Sequence, residues 1–547
     1  MRKYFMKIEN VDEFDYVIVG AGAAGSIVAA RLAEDPKISV CIIEAGPSDN
    51  RPFVRIPAGF TKTLTQESIT WQFKTEPSKN TLNRQIATTQ GRLLGGSGSI
   101  NGMIYVRGQP ADYDHWAQLG NQGWGYDDVL NYFSRSESRI GQDVSGVHGR
   151  NGGVPITDMD WFNPISEAFI NTAEEYGHIR NPDYNSGKQE GVGYFQRAIN
   201  RGLRVSSARG ILRPVQKNRN IKLILSARVT KVLFEDKTAK GVSFIRKRNG
   251  KVISIKARRE VIISAGAANT ARLMQISGLG SGQLLQNLGV KVVKELGGVG
   301  SNLIDHYGAR MVMRANPKYA TLNEHSKGPK LGLQIAKWVL GLPNILALVP
   351  SQVFLFCKSR PGIDFADLQC VFTPGSYKEG KHYVLDNYPG VTGGWWQHRP
   401  QSRGYVRAQS TDVYVDPVIN PNYLDDPQDQ DTMVRGMKIV RALLNSPSMS
   451  KYLTDEVVPG ERIQTDEELL EFCKNFGSTC YHLVGTAKMG KHSDPKAVVD
   501  QNLRVHGIKN LRVIDSSVMP MIPSGNTYAA TMMIAEKGSD LIKQNIK

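Results

Sequence analysis

The chain has 547 residues, a formal net charge of +17 and 40% hydrophobic residues, with no low-complexity tract. Such a length buries a large core, in two or more domains, and the composition excludes a fibrous or disordered chain. Lysines and arginines are scattered, the densest run being the Arg246–Arg248 turn with Lys256, Arg258 and Arg259 nearby, so no nucleic-acid partner is expected.

The N-terminus, Met1 to Lys7, is basic but lacks the apolar stretch of a signal peptide. Next, Asp15-Tyr16-Val17-Ile18-Val19 reads as a buried strand. It runs into Gly20-Ala21-Gly22-Ala23-Ala24-Gly25 and then a helix carrying Ile27, Val28, Ala29, Leu32 and Ala33. Gly20 permits a tight turn, Gly22 lets backbone approach a pyrophosphate, and Gly25 lets the helix pack close to the strand. A second strand, Ser39 to Ile43, ends in Glu44, about twenty residues beyond the last glycine, where a carboxylate suits the ribose hydroxyls of an adenosine. Strand, turn, helix, second strand and acid together predict a dinucleotide site.

Residues 46 to 115 are irregular and rich in Gly, Pro, Ser and Thr, a length of loop that is uncommon unless functional. Within it, Gly91 to Gly102 holds five glycines in twelve residues. That much glycine permits close backbone approach to a flat polar ligand. Strand alternation returns at 221–225, 228–234 and 241–245, with Asn249-Gly250 as a hairpin turn. Glu260 to Ala267 reads as a strand meeting a Gly turn and a helix. The apolar run from Trp338 to Phe356 is broken by Pro343, Asn344 and Pro350, which argues against a spanning helix. It is expected to be a buried helix-turn in a lid or core, with an interfacial membrane contact as the alternative. A helix is expected over 429–444. The end of the chain returns to the opening style, with a strand over 511–515 and a helix over 529–544. The five cysteines (Cys41, Cys357, Cys370, Cys473 and Cys480) show no C-x-x-C spacing. They fit a reducing, cytoplasmic compartment and imply neither a disulfide frame nor a metal site.

Four separated motifs now carry a family resemblance. They are the Gly-rich start with Glu44, the segment Gly91 to Gly108, the segment Gly266 to Gly280, and the block from Tyr481-His482 through Asp515 to Asn526. From Asp15 to Ile542 the chain resembles a glucose–methanol–choline (GMC) oxidoreductase, a family of flavin enzymes that mostly oxidise alcohols. Ala271 stands where the third motif usually has Pro or Ser. The resemblance implies an α/β fold (α+β overall): a Rossmann-like FAD-binding domain with an inserted substrate-binding domain built on an antiparallel sheet with helices. The FAD-binding parts are expected at 12–155, 196–310 and 471–547, and the substrate-binding parts at 156–195 and 311–470.

The same resemblance implies FAD. It puts Glu44 on the adenosine ribose, Val229 near the adenine, and the Gly95–Gly102 loop against the isoalloxazine ring. Its cofactor contacts are Gly20, Gly22, Ala23, Ala24, Glu44, Ala45, Arg92, Gly95, Gly96, Ser97, Asn101, Gly102, Met103, Val229, Ala265, Gly266, Asp515, Ser516, Asn526 and Thr527. In some relatives a His in this loop is joined covalently to the flavin. Ile100 aligns there and cannot form that bond, so non-covalent FAD is expected.

Oxidising a primary alcohol removes the hydroxyl proton and passes a hydride to flavin N5. An imidazole titrates near neutral pH and suits the first task, and by resemblance His482 is the catalytic base. Asn526 matches the second catalytic position, where its amide can hold the substrate oxygen, and it also suits a helix N-cap. The helix start beyond it would stabilise an anionic reduced flavin. Asp515 resembles the acid near the pyrophosphate. Asp305-His306 matches a family motif of structural character, and His492 and His506 read as surface residues.

Trp396, His398 and Tyr481 are the expected substrate pocket, and with Trp71 they could form a cation–π cage suited to choline. A core or apolar wall is the plainer reading of these aromatics, and the sequence does not place the carboxylate that a choline pocket would gain from. The expected reaction is FAD-dependent oxidation of a primary alcohol to the aldehyde, as a dehydrogenase or oxidase. Electrons would pass to a non-NAD acceptor such as a quinone, another carrier or oxygen. A choline dehydrogenase or oxidase is the close alternative, and a peripheral contact on the inner face of a membrane is compatible with the basic charge. A hydroxynitrile lyase or a fatty-acid photodecarboxylase on the same scaffold is the alternative of another class. The photodecarboxylases carry Cys where His398 aligns and lack the His found at 482.

Overall fold

A computed structural model describes residues 12–143, 145–378 and 384–544. The basic stretch Met1 to Lys7 lies outside the described residues. The opening strand, Glu13–Val19, pairs in parallel with Val40–Ile43 on one side and with Ile253–Ile263 on the other. Ile221–Ile224 extends the sheet beyond Val40–Ile43, and Thr238–Ile245 and Arg228–Glu235 extend it antiparallel on the far side. Leu511–Val513 joins in parallel beside the end of the long strand Ile253–Ile263, with Leu511 opposite Val261. Parallel strands covered on both faces need near-continuous apolar runs, which is why Tyr16–Val19 and Val40–Ile43 are all buried. The helices Ala23–Leu32 and Tyr528–Lys543, from opposite ends of the chain, pack against each other on this sheet.

The second sheet is antiparallel. Its order is Leu453–Val458, Tyr307–Ala315, Gly390–Gln397, Leu368–Thr373, Val353–Cys357 and Gly191–Tyr194, with Ser478–Thr479 pairing the start of Tyr307–Ala315. The helices Pro164–Glu175 and Pro427–Leu444 cover one face. Gly393 and Gly436 allow this contact: a Cβ on Gly393 would come within 2.6 Å of Val440, and one on Gly436 within 2.5 Å of the Trp395 ring. Side chains alternate along Gly390–Gln397. The Trp395 indole donates to the Met433 carbonyl on the covering helix at 2.9 Å, while the Trp396 ring lies toward His482.

This is the α/β architecture with an inserted antiparallel domain that the motifs imply. Two expectations shift. The boundaries at 155/156, 310/311 and 470/471 cut through the strands Val154–Thr157 and Tyr307–Ala315 and the helix Asp466–Phe476, because each element continues past its boundary unbroken. The run from Trp338 to Phe356 is not one buried helix-turn. Its helix begins earlier, at Gly328–Val339, with an exposed outer face, while 347–350 is a buried connection and Val353–Cys357 a buried strand of the second sheet. Among the described residues no helix is long and apolar enough to cross a membrane.

One buried carboxylate ties the first domain together. Glu536, on the last helix, accepts from Arg31 at 2.8 and 2.9 Å, from Arg135 and from the Ser136 hydroxyl. Burial raises its pKa, but the two guanidiniums outweigh that and hold it below the ordinary carboxylate value. Its stabilisation is therefore present above that value and lost as pH falls through the folded one. Glu536→Ala removes the buried acceptor shared by two arginines, which keep only the more exposed Glu34 and Asp540, and should cost about 3 kcal/mol, read as a lowered denaturation midpoint. A loss under about 1 kcal/mol would show that solvent already carries these charges.

Candidate active site

Between the two sheets lies a cavity of about 770 Å³. At one end its wall is built by Gly20, Gly22, Ala23, Ala24, Glu44, Ala45, Val229, Ala265 and Gly266. Gly96, Ser97, Asn101, Gly102 and Met103 continue it, and Asp515, Ser516, Asn526 and Thr527 close it. Arg92 and Gly95 stand behind this wall. The Gly95 N–H bonds the Ala21 carbonyl at 2.7 Å, and Arg92 donates to the Glu67 carbonyl at 2.6 Å. Gly96 has φ 53° and approaches Gly22 so closely that a Cβ on it would lie 2.8 Å from the Gly22 Cα. The glycine-rich loop thus lies directly on the first turn.

Three helices begin at this cavity: Ala23–Leu32, Ala267–Ile276 and Tyr528–Lys543. Their N-cap residues Gly22, Gly266 and Thr527 make no side-chain cap. The first-turn N–H groups of all three remain available to an anionic ligand. Glu44 accepts from the N–H groups of Ala21 at 2.9 Å and Gly46 at 2.8 Å, yet burial lifts its pKa to about 7. Asp515 holds the second helix start in place. It accepts from the Gly266 N–H at 2.8 Å, the Thr270 hydroxyl at 2.7 Å and the Ser517 N–H at 2.8 Å, and burial raises its pKa. Bare helix starts, a carboxylate on the cavity wall and a glycine loop fit FAD, whose pyrophosphate and ribose need those groups.

Asn526, which closes this wall, also neighbours His482, with its Nδ2 3.1 Å from His482 Nε2. His482 Nδ1 lies 3.0 Å from His306 Nδ1, and His306 Nε2 lies 2.8 Å from the His398 carbonyl. The carbonyl can only accept, so His306 carries its proton on Nε2. Burial presses the His306 pKa down to about 4, leaving the ring neutral and its Nδ1 an acceptor. His482 must then donate from Nδ1, which leaves a lone pair on Nε2, facing Asn526. Burial, followed by the neighbouring His306, holds the His482 pKa well below the ordinary imidazole value. Gln369 Nε2 donates to Asn526 Oδ1 at 3.3 Å, which turns the Asn526 amino group toward His482.

Asp305 anchors the loop. It accepts from the His482 N–H at 2.8 Å and from the hydroxyls of Thr479 and Tyr423, and burial still raises its pKa to about 6. Those bonds hold Tyr481 at φ 65°, a left-handed backbone that bulky residues avoid.

Trp396 and Tyr481 line the cavity, and the Trp396 ring is 6.3 Å from that of His482. His398 does not line it. Its ring is fully buried against Phe356, and its Nδ1 faces the Ala366 carbonyl at 3.2 Å. What His398 offers the site is its backbone carbonyl. Trp71 belongs to the cofactor end, where the guanidiniums of Arg92, Arg228 and Arg272 surround its ring at 5.5, 4.7 and 5.3 Å. The four aromatics therefore form no common cage. The carboxylates among the lining residues are Glu44 and Asp515, both at the cofactor end, whereas Arg84 and Arg310 line the other. His306 and Gln369 are the residues that sequence reasoning missed as partners of the site. The Asp305-His306 pair was the available signal, but nothing in its spacing points to a residue 176 positions away.

One other cluster, Asp143, His148 and Asp183, brings metal-ligand types within 4.8 Å of one another. Both His148 nitrogens face carboxylates, Nδ1 toward Glu137 and Nε2 toward Asp183. Although burial opposes it, these carboxylates raise the His148 pKa, which favours a ring that donates from both nitrogens and disfavours a metal there.

Residues 14–308 match the family described as GMC oxidoreductase, and residues 400–535 match its C-terminal part. An alcohol dehydrogenase [acceptor] of Pseudomonas putida is 38% identical over 533 residues, covering 97% of this chain and 96% of that protein. An oxygen-dependent choline dehydrogenase of Rhizobium etli is 36% identical over 529 residues, covering 96% and 95%. The crystal structure of pyridoxine 4-oxidase from Mesorbium loti superposes with a TM-score of 0.87 at 28% identity, covering 98% of this chain and 99% of that one.

Glu44→Ala removes the cavity-wall carboxylate expected at the ribose hydroxyls. Losing a charged hydrogen bond of about 1.5–3 kcal/mol should weaken FAD binding roughly 10- to 100-fold, measured by titrating FAD into apoprotein. Unchanged affinity would remove Glu44 from the cofactor site.

Proposed function

The chain belongs to the GMC oxidoreductases, FAD enzymes that act on CH–OH groups, and we propose that it oxidises a neutral primary alcohol to its aldehyde with His482 as the proton acceptor. The observation that carries this reading is the one-way hydrogen-bond chain ending in the lone pair of His482 Nε2. A substrate hydroxyl entering between His482 and Asn526 donates to that lone pair while accepting from Asn526 Nδ2. As the proton moves to Nε2, the alkoxide forming on the substrate keeps the Asn526 hydrogen bond, which strengthens as charge develops. His482 becomes an imidazolium whose Nδ1 proton stays directed at His306. Burial makes that cation costly, so the proton is held briefly and passed on. FAD, held along the wall that Asn526 closes, would supply the acceptor for the two electrons and the hydrogen leaving carbon. Ile100, apolar and buried with Val54, Ile69 and Leu93, supports a cofactor held without a covalent bond.

A neutral substrate follows from charge. Among the described residues the pocket end carries Arg84 and Arg310 and no carboxylate, an arrangement that disfavours a quaternary ammonium and so argues against choline. Electrons leave to an acceptor other than NAD. The free thiols support the cytoplasmic reading.

Anaerobic mixing of the holoprotein with aliphatic alcohols, aryl alcohols, choline and hydroxy acids tests this directly. Neutral primary alcohols should bleach the flavin band and choline should not; bleaching by choline alone would overturn the substrate reading, and rapid recolouring in air would identify an oxidase. His482→Ala should slow bleaching by roughly 10²–10⁴-fold with FAD content unchanged. Because the His482 pKa is depressed, the base is neutral throughout the neutral range, and kcat/KM should decline only on the acid side, well below the usual imidazole value. An acid limb centred at or above the usual imidazole value would show a different base.

A further inference from the structure

Surface helices ordinarily turn their apolar stripe inward and their charges outward. Gly328–Val339 does the reverse. Its buried residue is the polar Gln334, whose side-chain oxygen accepts from the Ile345 N–H at 3.1 Å. Beside it the half-buried Trp338 fastens the helix to the body by donating its indole N–H to the Gly202 carbonyl at 3.0 Å. On the solvent side stand Leu333, Ile335, Val339 and Leu340, the last two 71% and 72% exposed, and Leu342 extends the face past the helix end. At 100° per residue these helical side chains, with Gly332 and Ala336, fill one arc that contains no charge. Lys330 and Lys337 border that arc, Lys327 precedes it, and no acidic residue occurs between Gly328 and Leu342.

We propose that this face docks on an anionic lipid surface. Contiguous exposed apolar area of this kind marks an interaction site, and an apolar arc bordered by lysines matches acyl chains beneath phosphate headgroups. The charge pattern favours lipid over a second copy of the chain. Two such helices packed face to face would bring like-charged lysines together with no carboxylate on either to pair them. The helix is too short to span a bilayer, so it lies in the interface plane. From its end the chain runs through Asn344 to Pro350 and Ser351, which line the cavity, so docking brings the bilayer next to a wall of the pocket. A lipid-soluble alcohol or electron acceptor is then concentrated where it is used.

Co-sedimentation of the full-length holoprotein with vesicles is read without turnover, so its result is independent of the alcohol reading. Vesicles of phosphatidylglycerol with phosphatidylcholine should capture the wild type, and pure phosphatidylcholine should capture several-fold less. The double variant Val339→Asp, Leu340→Asp should lose roughly tenfold or more in partitioning, since both side chains are already exposed and neither supports the fold. Lys330→Glu, Lys337→Glu should lose binding to the anionic vesicles alone. Reduction of a soluble dye by alcohol should be unchanged in both variants. Absence of vesicle binding, or equal binding by wild type and variants, would overturn the proposal. So would a wild-type dimer in sedimentation velocity that the Val339→Asp, Leu340→Asp variant dissociates, because the face would then belong to a second copy.

Discussion

The carbonyl of His398 accepts a hydrogen bond and cannot give one, and the geometry of the reacting end follows from that asymmetry. It fixes the proton on His306, which fixes the proton on His482, which leaves one nitrogen bare beside Asn526. The chain works in one direction only while both rings are neutral. Burial supplies that condition by disfavouring an extra charge on either imidazole, more strongly than the surrounding hydrogen bonds can favour it. A solvent-exposed pair at the same distances would exchange tautomers and lose the direction.

The scaffold holds this chain from two sheets at once. His306 and the strand that follows it belong to the antiparallel sheet, and His482 sits on the loop clamped by Asp305. Asn526 comes from the start of the last helix, which packs on the parallel sheet. Glu536, two turns further along that helix, is gripped by arginines from two other helices, so the helix start has little freedom to move. The strained backbone at Tyr481 is the visible cost of bringing these parts together, and the three bonds to Asp305 offset it.

Charge is divided within one cavity. Among the described residues both lining carboxylates lie at the cofactor end, together with three uncapped helix starts, and two arginines line the pocket end. A dinucleotide and a neutral alcohol suit these two ends respectively. The outward apolar face of Gly328–Val339 is joined to the cavity wall by the segment that runs through Asn344 to Pro350 and Ser351.

Local patterns made the parallel sheet, the glycine turn, Glu44, and the helices Pro427–Leu444 and Tyr528–Lys543 legible. Apolar runs, glycine spacing and a terminal acid act over a few residues and appear in the order in which they are used. Family resemblance added His482 and Asn526, which no local period distinguishes from ordinary polar residues. What neither could supply is the pairing of groups far apart in the chain. His306 with His482, Gln369 with Asn526, and the displacement of Trp71 to the arginine cluster and of the His398 ring into the core all depend on how the two sheets meet. The helix after Gly328 makes the same point. Its apolar composition is plain in the sequence and reads as burial, whereas tertiary structure turned Gln334 and Trp338 inward because they find hydrogen-bond partners there, and left the aliphatic side facing out.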